Sequence, residues 1–347
     1  RGAYVDLPER PGVLTLTRVK ASRGEVKKNA GASLIDLGDG VLCLEFHSKM
    51  NTIGPDAVEM IHAGVNLLTG EFDALVIGNQ AANFSAGANL MLLLLAVQEG
   101  EWDEVETMVR AFQDANMALK CASRPVVAAP CGITLGGGLE VSLHCARMAA
   151  AAETYMGLVE TGVGLVPAGG GTKEMLLRSM DAARAVADAD PLDSLKEVFT
   201  NLGMAKVSSS AAEARKLSYL APYDIICMNR DRQIEVAKQL ALNLMKSGYH
   251  AAPPRRDILV LGRAAFDQMK LGLHLMRRAE YISEYDVIVG TKLAWVLSGG
   301  GEFTSPQRVS EQYLLDLERE AFLSLCGEKK TVERIQYMLK RGKPLRN

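Results

Sequence analysis

Short apolar runs alternate with longer amphipathic stretches through the first half of this chain, and that alternation restricts it to an α/β architecture. Residues 33–37 and 41–46 flank Gly38-Asp39-Gly40, which predicts a β-hairpin. Gly54-Pro55 opens a helix, with Val58, Ile61, Val65 and Leu68 on one stripe and Gly70 as its stop. Residues 74–78 and 125–129 read as short buried strands. Between them Trp102, Val105, Val109, Phe112 and Leu119 mark a second amphipathic helix. No internal repeat of roughly 20–50 residues is visible.

Beyond about residue 230 the texture turns helical. Ile234, Val236, Leu240 and Leu244 form one stripe, and residues 283–297, 310–325 and 331–341 give three more helices. The spacing thus predicts four helices and little strand, in a C-terminal region (229–347) suited to closing a site or building an oligomer interface. Residues 1–30 carry two early prolines and a basic, polar stretch from Arg18 to Lys28. They read as a linker or strap from a longer polypeptide, as does a chain starting at Arg1 instead of Met. Residues 31–228 form the core between them.

Composition narrows the function classes. A formal net charge of -2 gives no global field to recruit nucleic acid or an anionic membrane. The longest apolar run, residues 90–97, is far short of the roughly 20 residues that span a bilayer. The six cysteines are scattered without a Cys-x-x-Cys pair, which argues against a zinc cluster or disulfide scaffold. Reduced buried thiols in a cytoplasmic protein are the expectation. The five histidines form no metal or triad pattern, and His144, one turn after Glu140, reads as a packed helical residue. No dinucleotide fingerprint occurs.

Glycine placement points to where chemistry belongs. Gly136-Gly137-Gly138 follows a predicted strand and opens a helical pattern, a junction where backbone can approach a ligand and free amides stabilise negative charge. Asn83-Phe84-Ser85-Ala86-Gly87-Ala88-Asn89-Leu90 lies upstream, and Gly157 through Gly164, then Pro167-Ala168-Gly169-Gly170-Gly171-Thr172, lie downstream.

Taken together and in order, Phe84-Ser85-Ala86-Gly87-Ala88, Pro125-Val126-Val127-Ala128-Ala129, Gly136-Gly137-Gly138-Leu139-Glu140 and Glu160 through Gly171 resemble the crotonase (enoyl-CoA hydratase/isomerase) family. The likeness is close over 33–178 and looser from about 204 onward. The tail Glu318-Arg319-Glu320-Ala321-Phe322 and the basic strap resemble the hydratase region of a bifunctional enzyme with an upstream 3-hydroxyacyl-CoA dehydrogenase.

The resemblance implies a crotonase-like spiral of ββα units followed by the helical region. It implies an enzyme that adds water to trans-2-enoyl-CoA in fatty-acid β-oxidation. Glu140 would be the water-activating base and Glu160 the proton donor. The amides of Ala88 and Gly137 would form the oxyanion hole, with Ala86, Gly87, Gly136, Lys49 and Asn51 as further substrate contacts. No metal or redox cofactor is implied, since coenzyme A enters with the substrate. A homo-oligomer, trimer-based in this family, is expected. Asn89 stands where many relatives carry aspartate, and the acidic stretch 180–201 is longer than usual. The alternatives are double-bond isomerisation on the same scaffold, or a non-catalytic assembly module of a multifunctional protein.

Overall fold

The computed structural model describes residues 10–347. Part of the N-terminal strap lies outside the described residues. The rest is structured: helix α1 (Leu16–Arg23) buries Leu16, and β1 (Lys27–Lys28) pairs with the next strand.

That strand, β2 (Ala32–Asp36), and β3 (Val41–Phe46) form the predicted hairpin, antiparallel with Leu34 opposite Leu44. Its turn takes Gly38, Asp39 and Gly40 to φ values of 81°, 57° and 74°, the left-handed region that glycine tolerates best. Helix α2 (Pro55–Leu67) crosses to β4 (Ala74–Gly78), which lies parallel to β3. Helices α3 (Leu90–Glu99) and α4 (Trp102–Lys120) lead to β5 (Val126–Ala129). There β6 (Gly132–Leu135) leaves the main sheet, helix α5 (Gly137–Leu143) follows, and β7 (Arg147–Ala151) returns beside β5. The pattern repeats with β8 (Thr154–Gly157), which pairs in parallel with β6, and helix α6 (Gly171–Arg184). Two further helices, α7 (Pro191–Gly203) and α8 (Ala211–Lys216), precede the edge strand β9 (Ile225–Cys227). The main sheet therefore runs β1-β2-β3-β4-β5-β7-β9, with the two-stranded β6/β8 layer beside it. This is the expected spiral of ββα units.

Strands β4 and β5 are buried along their whole length, so both faces need cover. On one face Leu42, Leu44, Leu75 and Ile77 pack with Met60 and Ile61 of α2. On the other, Cys43, Val76 and Val127 meet Ile234, Ala237 and Ala241 of α9 (Gln233–Lys246). The first helix of the C-terminal region thus serves the sheet. A Cβ on Gly78 would stand 2.8 Å from Ile234 Cδ1, so glycine lets α9 lie this close.

Beyond α9 the described residues hold β10 (Ile258–Val260), α10 (Gly262–Arg278), α11 (Glu284–Ser298), β11 (Gln307–Val309), α12 (Glu311–Cys326) and α13 (Lys329–Arg341). Three of the predicted helices fall where expected, two of them capped by Ser283 and Ser310. Helix α10 and the antiparallel β10/β11 ribbon were not expected. Helix α10 buries Ala265, Met269 and Leu273 at helical spacing and leaves Leu271 and Leu275 exposed. Residues 180–201 form the end of α6 and most of α7, which packs against α6 and α11. Among the described residues no helix is long and apolar enough to cross a membrane.

Candidate active site

Two backbone turns meet where β6 gives way to α5. The loop after β4 is laced to its neighbours: Phe84 N donates to Cys131 O, Ser85 N to Ile133 O, and Leu135 N back to Ser85 O. Ile53 N donates to Gly87 O and Asn89 N to Ile53 O, which fixes the residues on either side of Ala88. Gly87 sits at φ 102° and Gly136 at φ 49°. A Cβ on Gly137 would lie 3.3 Å from Ala88 N, so the amides of 88 and 137 are neighbours. Neither donates to a backbone or side-chain acceptor among the described residues. Gly137 is the first residue of α5, where an amide has no partner within the helix.

Ala86, Gly87 and Gly136 are gathered at this junction. Of the other two expected contacts, Lys49 is exposed on a short turn, but Asn51 is buried and its Nδ2 donates to Asn83 O at 2.9 Å. Asn51 therefore holds the loop. Asn89 caps α3 by accepting from Met91 N and Leu92 N, at 3.2 and 3.4 Å, so its side chain holds the start of that helix.

Glu140 lies in the first turn of α5, fully enclosed. Its Oε1 accepts from Gly169 N at 2.8 Å and Gly171 N at 2.9 Å. A Cβ on either glycine would come within 2.7 Å of a Glu140 oxygen, so only glycines fit there. Burial pushes this carboxyl up to about 7, against the pull of the two amides and of Lys173.

That shift has a consequence for stability. An unfolded glutamate releases its proton near 4.5 and folded Glu140 at about 7. Between those values the folded state binds more protons, so stability falls as pH rises, and the loss is complete above about 7. Glu140→Gln is therefore expected to gain on the wild type by on the order of 3 kcal/mol between pH 4 and pH 8. Urea unfolding at both pH values checks this. A difference that does not change with pH would contradict it.

Glu160 opens the 3-10 turn Glu160–Val163. The residue is only partly buried, but its carboxyl is enclosed, and Oε2 has no hydrogen-bond partner. A Cβ on Gly136 would stand 2.8 Å from its Oε1. Burial first, then the nearby charge of Glu140, hold this carboxyl well above the usual range. The two predicted glutamates are thus brought to one place, beside the adjacent amides.

Several residues around them were not singled out from sequence. The ring of Phe112 lies against both Gly137 and Gly169. From the same helix, Asn116 Nδ2 donates to Gly169 O and Gln113 Nε2 to Ala168 O, both at 2.8 Å. Helix α12 supplies Glu318, which is fully buried and accepts from Gly170 N. Helix α13 supplies Thr331, whose hydroxyl donates to Gly164 O at 2.8 Å. The tail helices therefore hold the turn that carries Glu160 and the turn whose amides donate to Glu140. Gly169-Gly170-Gly171 and Glu318 stood in quoted motifs, but nothing in their spacing shows that they meet.

His144 is a packed residue, as expected. Its Nδ1 lies 2.7 Å from the Glu140 carbonyl and must donate to it, which leaves Nε2 to accept from Lys173 Nζ at 3.0 Å. Burial, and then Lys173, lower its pKa to about 3, so it stays neutral.

Residues 40–184 match the family described as Enoyl-CoA hydratase/isomerase. The matched segment holds both glutamates and the ββα units around them, and the fold is crotonase-like. The chain is 46% identical over its whole length to a probable 3-hydroxyacyl-CoA dehydrogenase of Bacillus subtilis (strain 168), covering 43% of that protein. It is 32% identical over 148 residues to the fatty acid oxidation complex subunit alpha of Shewanella loihica, which covers 41% of this chain and 20% of that one. The chain thus spans less than half the length of these curated relatives. Among solved structures, a carnitinyl-CoA dehydratase from Mycobacterium thermoresistibile shares the fold, with a TM-score of 0.64 at 16% identity over 90% of both chains.

Proposed function

We propose that this chain is an enoyl-CoA hydratase, adding water across the double bond of trans-2-enoyl-CoA thioesters in fatty-acid β-oxidation. The observation that carries this reading is the pair of enclosed carboxylates beside two free, adjacent amides. Glu160, held well above the usual carboxyl range by burial and by Glu140, is fitted to act as an acid. Glu140, titrating at about 7, is fitted to act as a base. Its Oε1 is held by amides, and Oε2 remains to take a proton.

In the proposed reaction the water oxygen bonds to the β-carbon while its proton passes to Glu140. The π electrons move toward the thioester carbonyl, whose oxygen gains negative charge facing the amides of Ala88 and Gly137. As that electron pair returns, the proton of Glu160 bonds to the α-carbon. Proton exchange with solvent then resets both groups. Two pre-oriented amides in a site closed to water contribute roughly 3–4 kcal/mol each to such a step.

The long relatives support a further part of the reading. A Bacillus subtilis protein named for a dehydrogenase matches this chain end to end and is more than twice its length. No dinucleotide fingerprint occurs here, so the dehydrogenase of a fused polypeptide would lie outside these residues.

The test is the loss of enoyl-thioester ultraviolet absorbance with crotonyl-CoA and with a longer trans-2-enoyl-CoA. The expected result is turnover of at least one. Binding of both without turnover would replace this reading with isomerisation or a non-catalytic assembly module.

A further inference from the structure

Glu318 is a carboxyl at complete burial in the middle of α12, flanked there by the buried Leu314, Leu315, Leu317 and Ala321. Such burial is costly unless the polar oxygens find donors, and an apolar residue of similar size would avoid the cost. Its two oxygens meet two amides in the first turn of α6: Oε2 accepts from Gly170 N at 2.8 Å and Oε1 from Lys173 N at 2.5 Å.

The same turn feeds Glu140 from its other amides, Gly169 N and Gly171 N. Donors to the two glutamates thus alternate along one segment: 169 to Glu140, 170 to Glu318, 171 to Glu140, 173 to Glu318. The three consecutive glycines have no side chains to fix the turn, and Gly170 adopts φ 102°. Its conformation is therefore imposed from outside. Asn116 and Gln113 hold the carbonyl side, at Gly169 O and Ala168 O, and Glu318 holds the amide side. Arg319, next to Glu318, donates to Gln113 Oε1 at 2.9 Å and ties the two clamps together.

We propose that Glu318 is a positioning residue: by gripping the amides of Gly170 and Lys173 from the tail, it aims the amides of Gly169 and Gly171 at Glu140. Its effect on turnover rests on the hydratase reading, whereas its effect on the amides does not.

The test uses the full chain labelled with [15N]glycine, comparing the assigned Gly169 and Gly171 amides in wild type and Glu318→Ala. Both amide protons are expected to move upfield in the variant, as donors released from a carboxyl oxygen do. In the absorbance assay, kcat is expected to fall about 10- to 100-fold with KM within about threefold, since a displaced base costs rate more than binding. Glu318→Gln offers one acceptor to two amides and is expected to fall between. It is the variant to compare if Glu318→Ala does not fold. A folded variant whose Gly169 and Gly171 amides stay at their wild-type positions overturns the proposal. If the amides move but wild type turns over no enoyl thioester, the positioning role stands and the hydratase reading falls.

Discussion

Glu140→Gln and Glu160→Gln are each expected to lower kcat on crotonyl-CoA by about 100- to 10,000-fold, the range a positioned acid or base supplies. Glutamine matches glutamate in shape, so KM and the far-ultraviolet circular dichroism should hardly change. Each carboxylate handles one proton of the same addition, so the double variant should be little worse than the poorer single one. The pH profile carries a further sign. The base must be unprotonated, so kcat/KM should rise as pH climbs through about 7 and level off above it. A Glu160→Gln protein that keeps most of its turnover would point to one-carboxylate chemistry and remove Glu160 from the reaction.

The largest effect on stability is expected at Lys173. Its ammonium is wholly buried between Glu174 at 2.7 Å and Glu311 at 2.9 Å, and Lys120 reaches the same two carboxylates at 2.6 and 2.8 Å. Glu311 begins α12, so this cluster also joins the tail to the core. Removing one partner leaves two enclosed carboxylates short of a counter-charge, which is worth about 3–5 kcal/mol. Lys173→Met should lower the urea midpoint accordingly at pH 7. Lys120→Met should cost less, because Lys120 is partly exposed and can leave water in its place. Equal, small losses in both variants would mean that the cluster is not acting as a buried network.

Local signals were enough to read much of this protein from its sequence. The hairpin around Gly38-Asp39-Gly40, the proline-started α2 and the buried runs of β4 and β5 each announce themselves within a dozen residues. The two glutamates were legible because each sits inside a motif whose order is informative. What could not be read was docking. Nothing near residue 233 shows that α9 would cover the back of the sheet. Asn51 was read by resemblance as a substrate contact, and its local role, one Nδ2 bond to Asn83 O, has no mark in the sequence. Glu318 finds its amides far away in sequence, at Gly170 and Lys173, and no periodicity records such a meeting.

The tail's grip on the Gly170 and Gly164 turns also bears on how the protein comes into being. A ribosome delivers both glutamates long before it delivers Glu318 and Thr331. Until α12 and α13 emerge and dock, the glycine turn has donors but no outside hand to shape it. Contacts this distant in sequence form late and slowly. A chain broken before α12 would therefore keep both glutamates and lose the contacts that hold the Gly164 and Gly170 turns.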